Sequence, residues 1–282
     1  MKQQWTLRRR LYNGGMRGLV WLCAGLTCAL LIFLIGYIFY RGVPGLSWQL
    51  ISGQTSYIRN TVGILPNLLN TLYIILVAMA VVLPLGVGAA IYLTESAASG
   101  RLVRIIEFAA ETLTGIPSII FGLVGMMLFV QKLGLQAGIL AGGLTLVMMI
   151  LPTIITVSKA SLDAVPDSYY EGSLALGATH ERSVFYAVLP AAKSGVLSAV
   201  ILGIGRAIGE TMAVVMVAGN QTWMPKGLFQ GLRTMTSNIV IEMGYAADLH
   251  REALIATGVV LFVFILLINL CFSLVKGGKD YA

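Results

Sequence analysis

Apolar residues gather in long runs that recur along the whole chain, and six runs come close to the ~20 residues an α-helix needs to cross a bilayer. They span Leu19–Tyr40, Leu68–Leu93, Phe108–Val130, Leu135–Val157, Ala191–Ala218 and Leu254–Val275. A backbone surrounded by lipid must satisfy its own hydrogen bonds, and continuous apolar runs of this length do so as helices. The pattern therefore predicts an all-α membrane protein with six transmembrane helices. The first run is too long for a cleaved signal peptide and lacks a small-residue cleavage pattern. A short link around Lys132 predicts a tight hairpin between the third and fourth spans.

Composition agrees: 57% of the 282 residues are hydrophobic and 11% are charged, with a mean hydropathy of +0.87. Such a chain has too little polar surface to be covered in water. The net charge of +7 does not point to nucleic acid, because the cations sit at helix ends and no basic face interleaves with aromatics. With the N-terminus inside, twelve Lys and Arg fall on the cytoplasmic side and six outside, so both termini are expected in the cytoplasm. Cys23, Cys28 and Cys271 lie in apolar stretches with no CxxC spacing and read as small buried hydrophobes.

Two segments between the spans carry information. On the inside, Pro166 ends a helix, Asp167 is placed to cap the next, and Gly177 is placed to end it in a left-handed conformation. Thr179 can then cap a second short helix, with Glu181 in its first turn, before Pro190 opens the fifth span. The expectation is two short helices at an angle on the cytoplasmic face, suited to transmitting force from a soluble partner. The alternative is an amphipathic connector with Tyr169, Tyr170 and Phe185 in the headgroup zone. The outer segment from Gly219 to His250 is long, with Pro225 and several glycines.

The fifth span holds two ionisable groups deep in an apolar run, at a cost of at least about 2.5–3.5 kcal/mol for a charge at that depth. Arg206 and Glu210 are spaced i, i+4 and are expected to share a helix face. One reading is a self-neutralising pair that fixes helix rotation. The sharper one is a polar pathway, with the Arg206 fork offered to an oxyanion and Glu210 tethering it. Glu210 could also accept a hydrogen bond from protonated phosphate, which sulfate lacks. In the third span Pro117 is expected to kink the helix and free carbonyls toward a cavity, with Ser118 nearby.

Glu171, Gly177, Leu189 and Pro190 stand at the spacing of the EAA loop of ABC-importer permeases, which the inner segment resembles. Gly172 and Ser173 replace two alanines, and Ala187 an isoleucine. The resemblance covers roughly 67–271, including Asn70 and Thr71 at the start of the second span. Gly-Arg-Ala-Ile-Gly-Glu-Thr-Met-Ala-Val (205–214) and Thr-Gly-Ile-Pro-Ser-Ile-Ile-Phe-Gly-Leu (114–123) resemble the phosphate-specific transport (Pst) permeases. Glu-Met-Gly-Tyr-Ala-Ala followed by His250-Arg251 is more similar to the A-type than the C-type subunit.

The resemblance implies the type I importer fold, with residues 1–66 as a basic N-terminus, first helix and outer loop. A five-helix permease core at 67–275 would include the EAA loop 158–190 and the outer loop 219–252, followed by a tail at 276–282. It also implies a multi-pass protein of a prokaryotic plasma membrane that moves inorganic phosphate, with sulfate or molybdate as the alternative cargo. Glu171, Ala175, Leu176 and Gly177 would dock on an ATPase. Arg206, Glu210, Thr211 and Ser118 would line the pathway. The partners implied are a second permease (a related chain rather than a copy), an ATPase dimer that holds ATP and magnesium, and an extracytoplasmic phosphate-binding protein.

No G-x-x-x-x-G-K-[ST] loop is present, and His180-Glu181 lacks the second His of a zinc protease motif because Val184 occupies that place. The chain is therefore expected to be no enzyme. A self-sufficient channel or carrier is the competing class, and the inverted repeat typical of carriers is missing.

Overall fold

The computed structural model describes residues 7–56, 61–96 and 100–277. Lys2, Arg59 and Lys279, three of the cations counted for orientation, lie outside them.

The first described element is α1 (Leu7–Gly42), a long helix whose apolar side chains from Tyr12 onward are almost all exposed within this subunit. It touches the rest near its far end, where Phe39 meets Phe262 edge-on at 5.5 Å. A 3₁₀ turn at Val43–Gly45 leads to α2 (Trp48–Ser52), capped by Ser47. A small antiparallel pair follows, β1 (Gln54–Ser56) with β2 (Thr61–Ile64).

α3 (Leu65–Ile91) runs with Pro66 in its first turn, where proline costs no hydrogen bond. It packs along α6 (Ile139–Asp163) to form the spine of the bundle. Lipid tails are as apolar as the core, so helices associate through close fit rather than through escape from water. The glycines show that fit: a Cβ on Gly86 would stand 2.6 Å from Ile154, and one on Gly143 would stand 3.0 Å from Val77. Ile74, Ala78 and Val82 of α3 meet Leu146, Ile150 and Ile154 of α6 in one buried cluster.

Between them lie α4 (Gly100–Thr114) and α5 (Ser118–Gly125), the latter continued by a π-helical stretch to Lys132. These two halves of the expected third span are bent by 103° at the break. The expectation of a kinked single helix is thus corrected. Gly115 and Pro117 stand two residues apart, and the residue before a proline is pushed out of the helical region. The chain turns through slightly more than a right angle there. The hairpin to α6 around Lys132 forms as expected.

On the other end of α6, α7 (Asp167–Ala175) and α8 (His180–Ser183) form the inner segment, and a π-helical turn and α9 (Leu189–Ala191) lead out of it. α10 (Lys193–Gly209) starts after a bend of 69°. It stops in mid-run, and α11 (Met212–Val217) resumes after two non-helical residues. The fifth span is therefore two helices, not one. The outer segment holds α12 (Met235–Met243), and α13 (Asp248–Gly277) closes the chain as the last span. Among the described residues four helices are long and apolar enough to cross a membrane, up to six if each bent pair counts as one span.

Candidate functional site: a helix break and a cytoplasmic hairpin

The break in the fifth span lies at Glu210, whose backbone is extended at φ −70° and ψ 132°. Arg206 and Glu210 consequently do not share a helix face, and no hydrogen bond or ion pair joins them among the described residues. The expected tether is corrected on this point. Glu210 turns inward instead: it is only 9% exposed, and its Oε1 accepts the N–H of Ala213 at 3.0 Å. That bond satisfies one of the donors a helix leaves open at its start. The Glu210 carbonyl accepts the Thr236 hydroxyl at 2.9 Å, and the Thr211 hydroxyl donates to the Gly209 carbonyl at 3.2 Å. Three side chains thus hold the interruption in place of backbone bonds.

Arg206 keeps its own partner. Its Nη1 donates to the Thr153 hydroxyl of α6 at 3.3 Å, a long bond that occupies one of five N–H groups. The helix face that carries it is open. A Cβ on Gly205 or Gly209 would meet nothing within 4 Å, while one on Gly203 would stand 2.8 Å from Ile154. The three glycines of this stretch therefore differ, with Gly203 packing against α6 and Gly205 and Gly209 flanking Arg206 on the open side. Thr153 carried no sequence signal, since a lone Thr in an apolar helix usually bonds its own chain.

Ser118 begins α5, which packs on α11 so closely that a Cβ on Gly122 would lie 2.9 Å from the Ala213 Cα. No hydrogen bond links Ser118 to Arg206, Glu210 or Thr211 among the described residues. The structure places it on the helix that buttresses the break, not in a contact with the other three.

The outer segment makes buried contacts that the sequence pattern does not announce. Thr71 of α3 accepts the Met235 N–H at 3.0 Å, and the amide of Asn70 donates to the Trp223 carbonyl at 2.9 Å. Asn70 and Thr71 are buried, at 0% and 1% exposed. Arg233 pairs with Glu242 at 2.5 Å, and His250 approaches the same carboxylate at 3.5 Å. Asn220, which begins a glycosylation-like triplet, directs its amide at the Val215 carbonyl at 2.7 Å and closes the end of α11.

The inner segment forms as the cap residues predict, with one change. Gly177 has φ +86°, and its N–H and that of Ala178 bond back to Leu174 and Ser173, a left-handed helix stop. Thr179 accepts the Arg182 N–H at 3.4 Å. Asp167 does not cap: Pro166 occupies that position, and Asp167 is the first helical residue. Tyr170 Oη and His180 Nδ1 lie 2.7 Å apart, and Ser183 donates to Ser173 at 3.0 Å, so the two arms are tied together. Glu171, Ala175, Leu176 and Gly177 are all exposed at the tip, Leu176 to 92%.

A bundle of close-packed apolar helices with broken spans and a rigid polar-tied hairpin at one end defines the membrane subunit of a transporter. Residues 82–277 match the family described as binding-protein-dependent transport system inner membrane component, and the chain belongs to it. Its members are permease subunits of ABC importers rather than enzymes, and the chain is a multi-pass plasma-membrane component of that kind. It is 33% identical over 216 residues to the probable ABC transporter permease protein YqgI of Bacillus subtilis (strain 168), covering 77% of this chain and 74% of that one. It is also 33% identical over 231 residues to the phosphate transport system permease protein PstC of Haemophilus influenzae, covering 73% of each. That phosphate relative is of the C type and lends no support to the A-type preference. A chain in the crystal structure of a bacterial alginate ABC transporter, in complex with an alginate pentasaccharide-bound periplasmic protein, shares the fold. The TM-score is 0.62 at 14% identity, over 93% of this chain and 96% of that one.

Proposed function

We propose that the chain is the phosphate-conducting permease subunit of an ATP-driven importer, with Arg206 as the positive station of the path. The observation that carries this reading is a guanidinium inside the membrane span that, among the described residues, has no carboxylate partner and bonds to Thr153 alone, flanked by Gly205 and Gly209 on an open face. A charge held at that depth without a counter-ion serves a ligand more readily than it serves packing. Guanidinium stays charged when buried and fits an oxyanion with two parallel donors. Glu210 Oε2, Thr211 and Ser118 are the further polar groups of the pathway. The phosphate-transport name of the Haemophilus influenzae relative supports phosphate as the cargo.

Glu171, Ala175, Leu176 and Gly177 form the coupling tip that docks on an ATPase dimer, where ATP and magnesium reside. Full exposure of Leu176 supports this, because burying one leucine side chain in a partner groove is worth about 1.5–3 kcal/mol. The assembly is completed by an extracytoplasmic phosphate-binding protein and a second, related permease facing the open side of α10. Both termini lie in the cytoplasm.

The test is labelled-phosphate uptake in cells carrying the chain with its partners, wild type against Arg206→Ala, with sulfate and molybdate as competitors. Uptake blocked by phosphate alone should fall about a hundredfold in the variant, the scale of losing one preorganised electrostatic contact. Unchanged uptake would reduce Arg206 to a packing residue. A wild type that takes up molybdate but not phosphate would replace the substrate.

A further inference from the structure

We propose that Thr236 is a positioning residue for translocation, through which movement of the outer segment is passed to the helix break at Glu210. This rests on the permease reading of the chain and not on the identity of the cargo.

The break needs an external support, and the structure supplies one. After α10 stops, the Glu210 carbonyl has no helical donor, and it lies in a buried region where water cannot serve it. Among the described residues its one donor is the Thr236 hydroxyl, from the first turn of α12, at 2.9 Å. Thr236 is itself 7% exposed, and its hydroxyl also meets that of Thr234 at 3.0 Å. The start of α12 is fixed in turn: Thr234 caps it, and the Met235 N–H bonds to Thr71 of α3. Thr71 donates onward to the Asn67 carbonyl at 2.7 Å, so the support is anchored in the spine of the bundle.

The other end of the same segment reaches the surface. Trp223 is 63% exposed, yet its carbonyl is held by fully buried Asn70, one residue before Thr71. Between the two anchors the segment bonds to the end of α11, where the Leu232 N–H donates to the Ala218 carbonyl at 2.8 Å. A body pressing on the exposed part therefore acts on a strap whose buried end holds the break. The break in turn sets where α10, which carries Arg206, ends and where Glu210 begins to cap α11. Coupling of this kind requires an element with two arrangements that both sites bias. Two non-helical residues held by side-chain hydroxyls meet that requirement better than an uninterrupted helix.

The experiment uses the complete importer in proteoliposomes, with its binding protein loaded with the ion it carries. Uptake and ATP hydrolysis are measured together for wild type, Thr236→Val, Thr236→Ser and Thr71→Val. Valine keeps the shape of threonine and removes the hydroxyl. The ratio of ions moved to ATP hydrolysed should fall about tenfold in Thr236→Val, the size of a typical coupling between sites. Thr236→Ser should restore it, and Thr71→Val should lower it by a smaller factor. A purely structural role would lower the amount of assembled importer and both rates together, leaving the ratio unchanged, and that result overturns the proposal. So does a Thr236→Ser variant as uncoupled as Thr236→Val. Because the ratio is taken with whatever ion the binding protein carries, failure of phosphate as the cargo would appear in the wild type, separately from failure of Thr236.

Discussion

The cytoplasmic hairpin and the break in the fifth span are both short interruptions of helix, and they are built by opposite means. The hairpin is held by residues within ten positions of one another: Gly177 with Leu174, Thr179 with Arg182, Tyr170 with His180, and Ser173 with Ser183. The break has two local bonds, Glu210 with Ala213 and Thr211 with Gly209, but it is also held from afar. Thr236 reaches Glu210 across 26 positions, and Thr153 reaches Arg206 across 53. A segment whose bonds are local keeps its shape while the body it is attached to moves, which suits a part that must be pushed. A segment whose bonds come from other helices changes when those helices shift, which suits a part that must open.

That contrast is broken most directly at Glu210. Glu210→Ala removes the acceptor for the Ala213 N–H, a group 0% exposed, and an unpaired buried donor costs about 1–3 kcal/mol. Glu210→Gln keeps an amide oxygen in the same place. We expect the alanine variant to melt at a lower temperature in detergent, and the glutamine variant to melt as wild type while its phosphate-to-sulfate uptake ratio drops. If the two melt alike, the carboxylate does not support the break. If glutamine leaves the uptake ratio alone, Glu210 supports the break but does not read the proton on phosphate.

On the local side, Gly177→Ala isolates backbone conformation. A Cβ there meets nothing within 4 Å, so the whole effect comes from holding φ +86° with a side chain, about 1–2 kcal/mol for an L-residue in the left-handed region. Titration of the ATPase onto the membrane subunits should show roughly tenfold weaker binding, with uptake through already assembled importers unchanged. Equal binding would mean that the tip does not need its left-handed stop.

The same difference in bond range explains which parts could be read in advance. Cap and stop residues declare themselves, so spacing alone locates Gly177 and Thr179. The cap expected at Asp167 lies one position earlier, because Pro166 takes the site in extended geometry. The six apolar runs were legible because bilayer thickness dictates their length. Their interruptions were not: Gly-Glu-Thr at 209–211 is short and flanked by good helix formers, and what opens it is a hydroxyl from α12. The 114–117 break did leave a trace, since Gly115 and Pro117 together disfavour helix more than either alone. Buried bonds such as Asn70 to Trp223 join residues 153 positions apart, and no local pattern announces them.

The smallest effects test whether the hairpin cap is as self-contained as its bonds suggest. Thr179→Ala should cost about 1 kcal/mol of local stability, read as faster hydrogen exchange at the Ser183 N–H, which bonds the Thr179 carbonyl at 2.9 Å. Glu181 adds a charge-dependent part. Its carboxyl is held below the ordinary value of 4.5, first by its own backbone N–H and then by the Thr179 hydroxyl. A carboxyl depressed by folding contributes stability above its unfolded pKa and loses it as pH falls through the folded value. Exchange at Ser183 should therefore be slower in wild type than in Glu181→Gln at neutral pH, and the difference should close as pH falls below 4.5. Full exposure of Glu181 to solvent keeps the effect small and makes it shrink with added salt. A difference that survives at acid pH would mean that glutamine disturbs the cap by shape, and that the hairpin owes its start to the Thr179 hydroxyl alone.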